Sequence, residues 1–189
     1  MEDSFQLKER FLRDDFRDSL KWLFVGAVTW WAHPLECDKD YLRALGMFTS
    51  LVQARALYDF FYRRGQAELQ LGGTASAKHF VPSWQAPDDP DHLYSNYMSW
   101  GRPAQRRVFH IVYGRDTPEG GSMGDGSEEL NSRVLDFAKD LKRITQEFAK
   151  RLVGTPELDR YCELVECALT KSLDEGCELA KTYGIPDPL

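Results

Sequence analysis

The sequence predicts a mostly α-helical fold, a single domain over residues 1–189 built as a bundle of about five helices. Its composition, 42% apolar and 29% charged, is typical of a globular domain. Apolar residues recur at steps of three and four over 127–152 and again after Thr155, as they do on one face of a helix. A chain of this length buries about 70% of its unfolded surface, so neither disulfides nor a structural metal are needed.

The N-terminal part predicts two helices. Apolar residues at helical spacing place the first over about 4–31, and His33-Pro34 ends it because the residue before a proline is driven out of the helical region. The second runs over 38–60, with Gly65 marking its end. It is apolar on most sides, so we expect it to lie centrally in the fold.

The C-terminal part predicts a pair of helices. The first covers 127–152, and the second begins where Thr155 caps it and Pro156 takes the first helical position. Gly184 and the proline that follows it end this second helix. Only residues 153–154 connect the two helices, which favours an antiparallel helical hairpin.

The middle of the chain is harder to assign. Two glycine-bearing stretches, 65–76 and 114–126, predict long surface loops. Between them, residues 91–113 fit a helix, although a short strand over 108–113 is the competing assignment. The glycine-rich run at 120–126 lacks the lysine of a P-loop, so we interpret it as a loop before a helix.

Several classes of site are not indicated. The most apolar run, 22–32, is too short to cross a bilayer and does not follow a basic segment, so we expect a cytoplasmic protein that does not contact a membrane. His33 and Cys37 have no second pair of metal ligands nearby, so we expect no metal and no cofactor. The cysteines form no CxxC pair and are expected to be reduced thiols: Cys37, Cys162, Cys167 and Cys177.

One segment departs from the net charge of −6. Residues 101–115 contain no acidic residue and carry a local charge of +4. In a helix, Arg102, Arg106 and His110 would form one stripe. Guanidinium groups bind phosphates, and a histidine exchanges protons near neutral pH. The segment therefore predicts an anion-binding surface, with a solvated or ion-paired helix face as the alternative.

Two activities would use this stripe. In a metal-independent RNase, His110 would act as general acid and base while Arg102, Arg106 or Arg107 stabilises the charge that develops on the phosphorane. The same residues would also suit nucleotide binding without turnover. Both hypotheses are compatible with the negative net charge of the chain. A negative net charge argues against nonspecific nucleic-acid binding over the whole surface, but it does not exclude a local anion-binding site.

Three runs of the sequence carry a family resemblance. They are Gln53 to Phe61, Lys78 to Val81 with Trp84, and Arg106 to Ile111. This spaced pattern resembles the HEPN-like helical proteins and covers about half of the chain. The resemblance implies a helical bundle, often dimeric, that acts by self-association or partner binding in a phage-defence or toxin–antitoxin setting. Many such proteins are RNases in which four to six residues lie between an arginine and a histidine. Three residues lie between Arg106 and His110 and seven between Arg102 and His110, so no arginine before His110 has this spacing.

The aromatic residues around Trp84 and Trp100 have two interpretations. Core packing is the more common fate of such side chains. If the two rings are exposed together, they predict a protein-binding surface, because grouped aromatic residues often anchor interfaces.

Overall fold

A computed structural model describes residues 4–32, 40–63, 74–99, 127–186 and 189. The described residues form five α-helices and no strand, which confirms the predicted mostly helical fold. The helices are α1 (Ser4–Phe11), α2 (Arg17–Ala32), α3 (Asp40–Tyr62), α4 (Ser127–Ala149) and α5 (Pro156–Thr182). A π-helical turn, Leu12–Phe16, joins α1 to α2, and short turns form at Ala77–His79, Pro90–His92 and Tyr94–Met98.

Three predicted helix ends are confirmed, one in α2 and two in α5. α2 ends at Ala32, directly before the His33-Pro34 pair. At the start of α5, the Thr155 hydroxyl accepts a 3.2 Å hydrogen bond from the Leu158 amide. The helix ends two residues before Gly184, which has a φ of 70°. These ends follow local chemistry, namely proline sterics, a side-chain cap and a left-handed glycine.

The predicted N-terminal helix has an irregularity that periodicity alone did not indicate. Leu12–Phe16 forms a π-helical turn, in which the backbone bonds span five residues. Four-residue steps in a regular α-helix drift by about 40° around the axis. The wider turn compensates for this drift, so Leu12, Phe16 and Leu20 are all buried on one side.

In its described part, the segment predicted as a helix over 91–113 forms a short π-helical turn at Tyr94–Met98 rather than a continuous helix. Asp91 and His92 have φ angles of 52° and 56°, outside the helical region, and Ser99 is extended. The Asp89 carboxylate starts a new turn by accepting hydrogen bonds from the amides of Tyr94 and Ser95 at 2.8 and 2.9 Å. The open question of helix or strand at 108–113 lies outside the described residues.

The central helix is α2, which corrects the expectation that the second predicted helix would be central. α2 packs most extensively on α3 and also along α5. A Cβ atom added to Gly46 of α3 would lie 2.6 Å from the Trp30 amide nitrogen of α2, and one on Gly26 would lie 2.8 Å from the Ser50 nitrogen. The backbones of α2 and α3 therefore touch where both helices have glycine, and the exposed residues Leu45 and Ala56 lie on the side of α3 away from this contact.

The remaining helices close the core around an aromatic cluster. Residues 150–155 connect α4 to α5, and α5 packs more on α2 than on α4, so the antiparallel hairpin stays a prediction. Rings from the N-terminal region, α3, the segment after Ser76, α4 and α5 contact one another. They are Phe11, Phe16, Phe60, Phe61, Phe80, Trp84, Phe148 and Tyr161.

Candidate functional site

The basic stripe predicted from the sequence falls outside the described residues. This applies to Arg102, Arg106, Arg107 and His110, and to Trp100. Their roles in catalysis, anion binding or partner binding stay predictions.

Trp84 lies in the core rather than on the surface. Its side chain is 4% exposed, and its indole N–H donates a 2.9 Å hydrogen bond to the Phe61 carbonyl. The ring meets Phe148 edge-on, with 5.3 Å between centroids. Of the two interpretations, core packing describes Trp84, which offers no exposed ring to a partner.

A polar triad joins α3 to α4, with Tyr58 and Asp140 buried and Arg143 exposed. The hydroxyl of Tyr58 donates to Oδ2 of Asp140 at 2.8 Å, and Nη2 of Arg143 donates to Oδ1 at 2.8 Å. The sequence patterns did not indicate this triad. The available signal was the position of Asp140, which falls between Phe137 and Leu141 on the apolar face of α4.

The electrostatics of the triad suit a structural link between α3 and α4 better than a role in proton transfer. Burial raises the pKa of Asp140, and the hydrogen bonds from Arg143 and Tyr58 oppose that shift. Burial also raises the pKa of Tyr58, with the Asp140 carboxylate adding to the effect. Tyr58 therefore keeps its proton, and both Asp140 oxygens already accept a hydrogen bond, so the carboxylate is poorly placed to act as a base.

Two further tyrosines attach the segment after Trp84 to α3. The Tyr62 hydroxyl donates to the Pro87 carbonyl at 3.1 Å, and the Tyr94 hydroxyl donates to Asp59 at 3.2 Å. The two rings stack with centroids 5.0 Å apart and planes 12° apart. Asp59 also pairs with Arg55 at 2.9 Å. The arrangement holds the segment in place, which is a structural role.

The face of α3 that turns away from α2 is apolar, and no residue in the described ranges fully covers it. Leu45, Phe48, Val52 and Ala56 follow one another at steps of three and four and form what we call the α3 stripe. Leu45 and Ala56 are exposed, Leu45 by 59%, and the other two are half-buried. Residues 44–54 contain no charge. Exposed helix faces normally carry polar residues, so an apolar stripe there indicates an interaction surface.

The described ranges contain neither a candidate metal site nor a candidate membrane-spanning helix. There, no three histidine, cysteine or acidic side chains stand close enough to hold a metal ion. None of the described helices is sufficiently long and apolar to span a bilayer. The cysteines within these ranges, Cys162, Cys167 and Cys177, are free thiols.

Comparison with known proteins gives no relative. No protein-family model, curated protein or solved structure matches the chain significantly. The HEPN-like resemblance therefore stays a prediction, and the candidate sites rest on the geometry of this chain alone.

Proposed function

We propose that this chain is a helical interaction module that self-associates through the α3 stripe. The observation that carries the proposal is the row of apolar side chains on the face of α3 that turns away from α2, with Leu45 59% exposed. Covering such a row removes apolar surface from water, which is the main driving force of most protein association.

A second copy of the chain fits the stripe because the row is nearly self-complementary. In an antiparallel crossing about a two-fold axis near the middle of α3, Leu45 of one protomer lies opposite the small Ala56 of its partner. Phe48 lies opposite Val52 in the same arrangement. Large side chains thus meet smaller ones across the axis.

The charge pattern of α3 also favours this contact. Because residues 44–54 are uncharged, the helix can be covered there without burying an ion. Arg43 lies just before this stretch, and the Arg55–Asp59 pair lies just after it. An apolar centre with a charged rim is the usual anatomy of a protein interface.

Light scattering after size exclusion tests the proposal over a concentration series. We expect a dimeric mass for the wild type and a monomeric mass for the double variant Leu45→Glu/Val52→Glu. Val153→Glu is the matched control, because Val153 is also 59% exposed but lies in the α4–α5 connection. Circular dichroism checks that each variant is folded. A monomeric wild type at every concentration, or equal loss of the dimer in the control, would contradict the proposal.

A second candidate, metal-independent RNA cleavage or nucleotide binding, is favoured by the acid-free charge of +4 over 101–115. The test is RNA cleavage in the presence of a chelator. We expect His110→Ala to lose about 100-fold or more of the wild-type rate, as for removal of a general acid–base group. His92→Ala, an exposed histidine on the described surface, should retain it. An inactive wild type, or equal rates in all three proteins, would remove the RNase hypothesis.

A further inference from the structure

A cleft between α2 and α5 is lined mainly by basic side chains, although the chain as a whole is acidic. It has a volume of about 160 Å³ and is lined by Arg17, Lys21, Lys171, Ser172 and Glu175. Three cations and one carboxylate give this lining a formal charge of +2, whereas the whole chain carries −6. The cleft is therefore a local reversal of sign, of the kind that attracts small anions.

The cations of the cleft are unequally compensated. Lys21 lies 2.8 Å from Glu175, which neutralises it, and Arg17 lies 3.0 Å from Asp18 beside the cleft. Lys171 forms no ion pair with any residue in the described ranges. Its ammonium group has three donors and is exposed, so it is available to an incoming anion.

A buried hydroxyl completes the lining. Ser172 is 1% exposed, and its Oγ donates to the Arg17 carbonyl over 3.4 Å. This distance is well beyond the usual 2.7–2.8 Å of an O–H···O hydrogen bond, so the interaction is weak. A rotation about the Cβ–Oγ bond would redirect this donor to a stronger acceptor.

We propose that this cleft binds a small phosphomonoester through Arg17, Lys171 and Ser172. A phosphate group would meet the uncompensated ammonium of Lys171 and would share the Arg17 guanidinium with Asp18. Guanidinium, ammonium and hydroxyl groups are the usual partners of phosphate. The small volume suits one phosphoryl group.

Titration calorimetry at low salt tests the proposal with AMP and inorganic phosphate as probes and adenosine as the phosphate-free control. We expect both phosphates to bind and adenosine not to bind. Lys171→Glu should weaken AMP binding about tenfold or more, and Ser172→Ala should weaken it severalfold, as for lost hydrogen bonds to a charged group. Adenosine binding as tightly as AMP would overturn the proposal.

The matched control is Lys139→Glu, which makes the same charge change on the exposed side of α4. We expect it to change the affinity less than twofold. Equal weakening by Lys139→Glu and Lys171→Glu would show a general charge effect and overturn the site, as would the absence of phosphate binding by the wild type. The same titration of Leu45→Glu/Val52→Glu should match the wild type, which separates this proposal from self-association.

Discussion

The hydroxyl of Tyr58 donates a 2.8 Å hydrogen bond to the carboxylate of Asp140, although the two lie 82 positions apart in the chain. Arg143 holds the other oxygen of the same carboxylate. A buried carboxylate is costly unless its oxygens are paired, so this contact fixes which side of α4 faces α3. The stability of the bundle should therefore depend on the protonation of Asp140.

We expect Asp140→Asn to change how the free energy of unfolding depends on pH. Burial raises the pKa of Asp140 in the folded protein above its ordinary value of 3.8. The folded state thus binds more protons than the unfolded state between these two values. The stabilisation that Asp140 contributes to the folded state is full below pH 3.8 and is lost as the pH rises through the pKa of Asp140 in the folded protein. Urea unfolding of both proteins over this range measures the difference, and parallel profiles would contradict the prediction.

Glu147 on the same helix provides a control of opposite sign. The hydrogen bond from Lys150 lowers the pKa of Glu147 below its ordinary value of 4.5. Its contribution is therefore present above pH 4.5 and is lost as the pH falls through the folded pKa. The wild type should lose stability on acidification through Glu147, and Glu147→Gln should not show this loss. The wild type should also lose stability through Asp140 as the pH rises, and Asp140→Asn should not show that loss.

We expect Gly46→Ala to destabilise the protein by about 1–3 kcal/mol, the usual cost of overpacking. The added Cβ would lie 2.6 Å from the Trp30 nitrogen and 2.8 Å from the Gly26 oxygen. Both are backbone atoms, so α2 and α3 would have to separate. Chemical denaturation measures the change. A gain of about 1 kcal/mol, the effect of helix propensity alone, would contradict the close approach of the two helices.

We expect Trp84→Phe to cost about 2 kcal/mol in the free energy of unfolding. The change removes the N–H that satisfies the Phe61 carbonyl in the last turn of α3, and it leaves a small cavity. Trp31→Phe is the matched control, because Trp31 is half exposed, and it should change stability by less than about 0.5 kcal/mol. Equal losses in denaturant titrations of the two variants would contradict the role of Trp84.

The sequence predicted the helical class and several helix ends because these depend on neighbouring residues. Pro34, Thr155 and Pro156 each act on the backbone within a turn of their own position. At 91–92 the predicted helix is interrupted, and the side chain of Asp89 starts a separate helical turn at Tyr94. That effect depends on a side-chain conformation, which apolar periodicity does not report.

Tertiary structure decided which helix is central and which surfaces are left open. An apolar pattern on α3 does not tell which of its sides is covered, and the glycine contact between α2 and α3 settles that the α3 stripe faces outward. The cleft of Arg17 and Lys171 is likewise set by the packing of α2 on α5, since 154 positions separate these residues in the sequence. Helix formation is governed by the spacing of nearby apolar residues and by caps. The sites on this surface arise instead from contacts between segments that are distant in the sequence, and a single sequence does not show which segments will pack together.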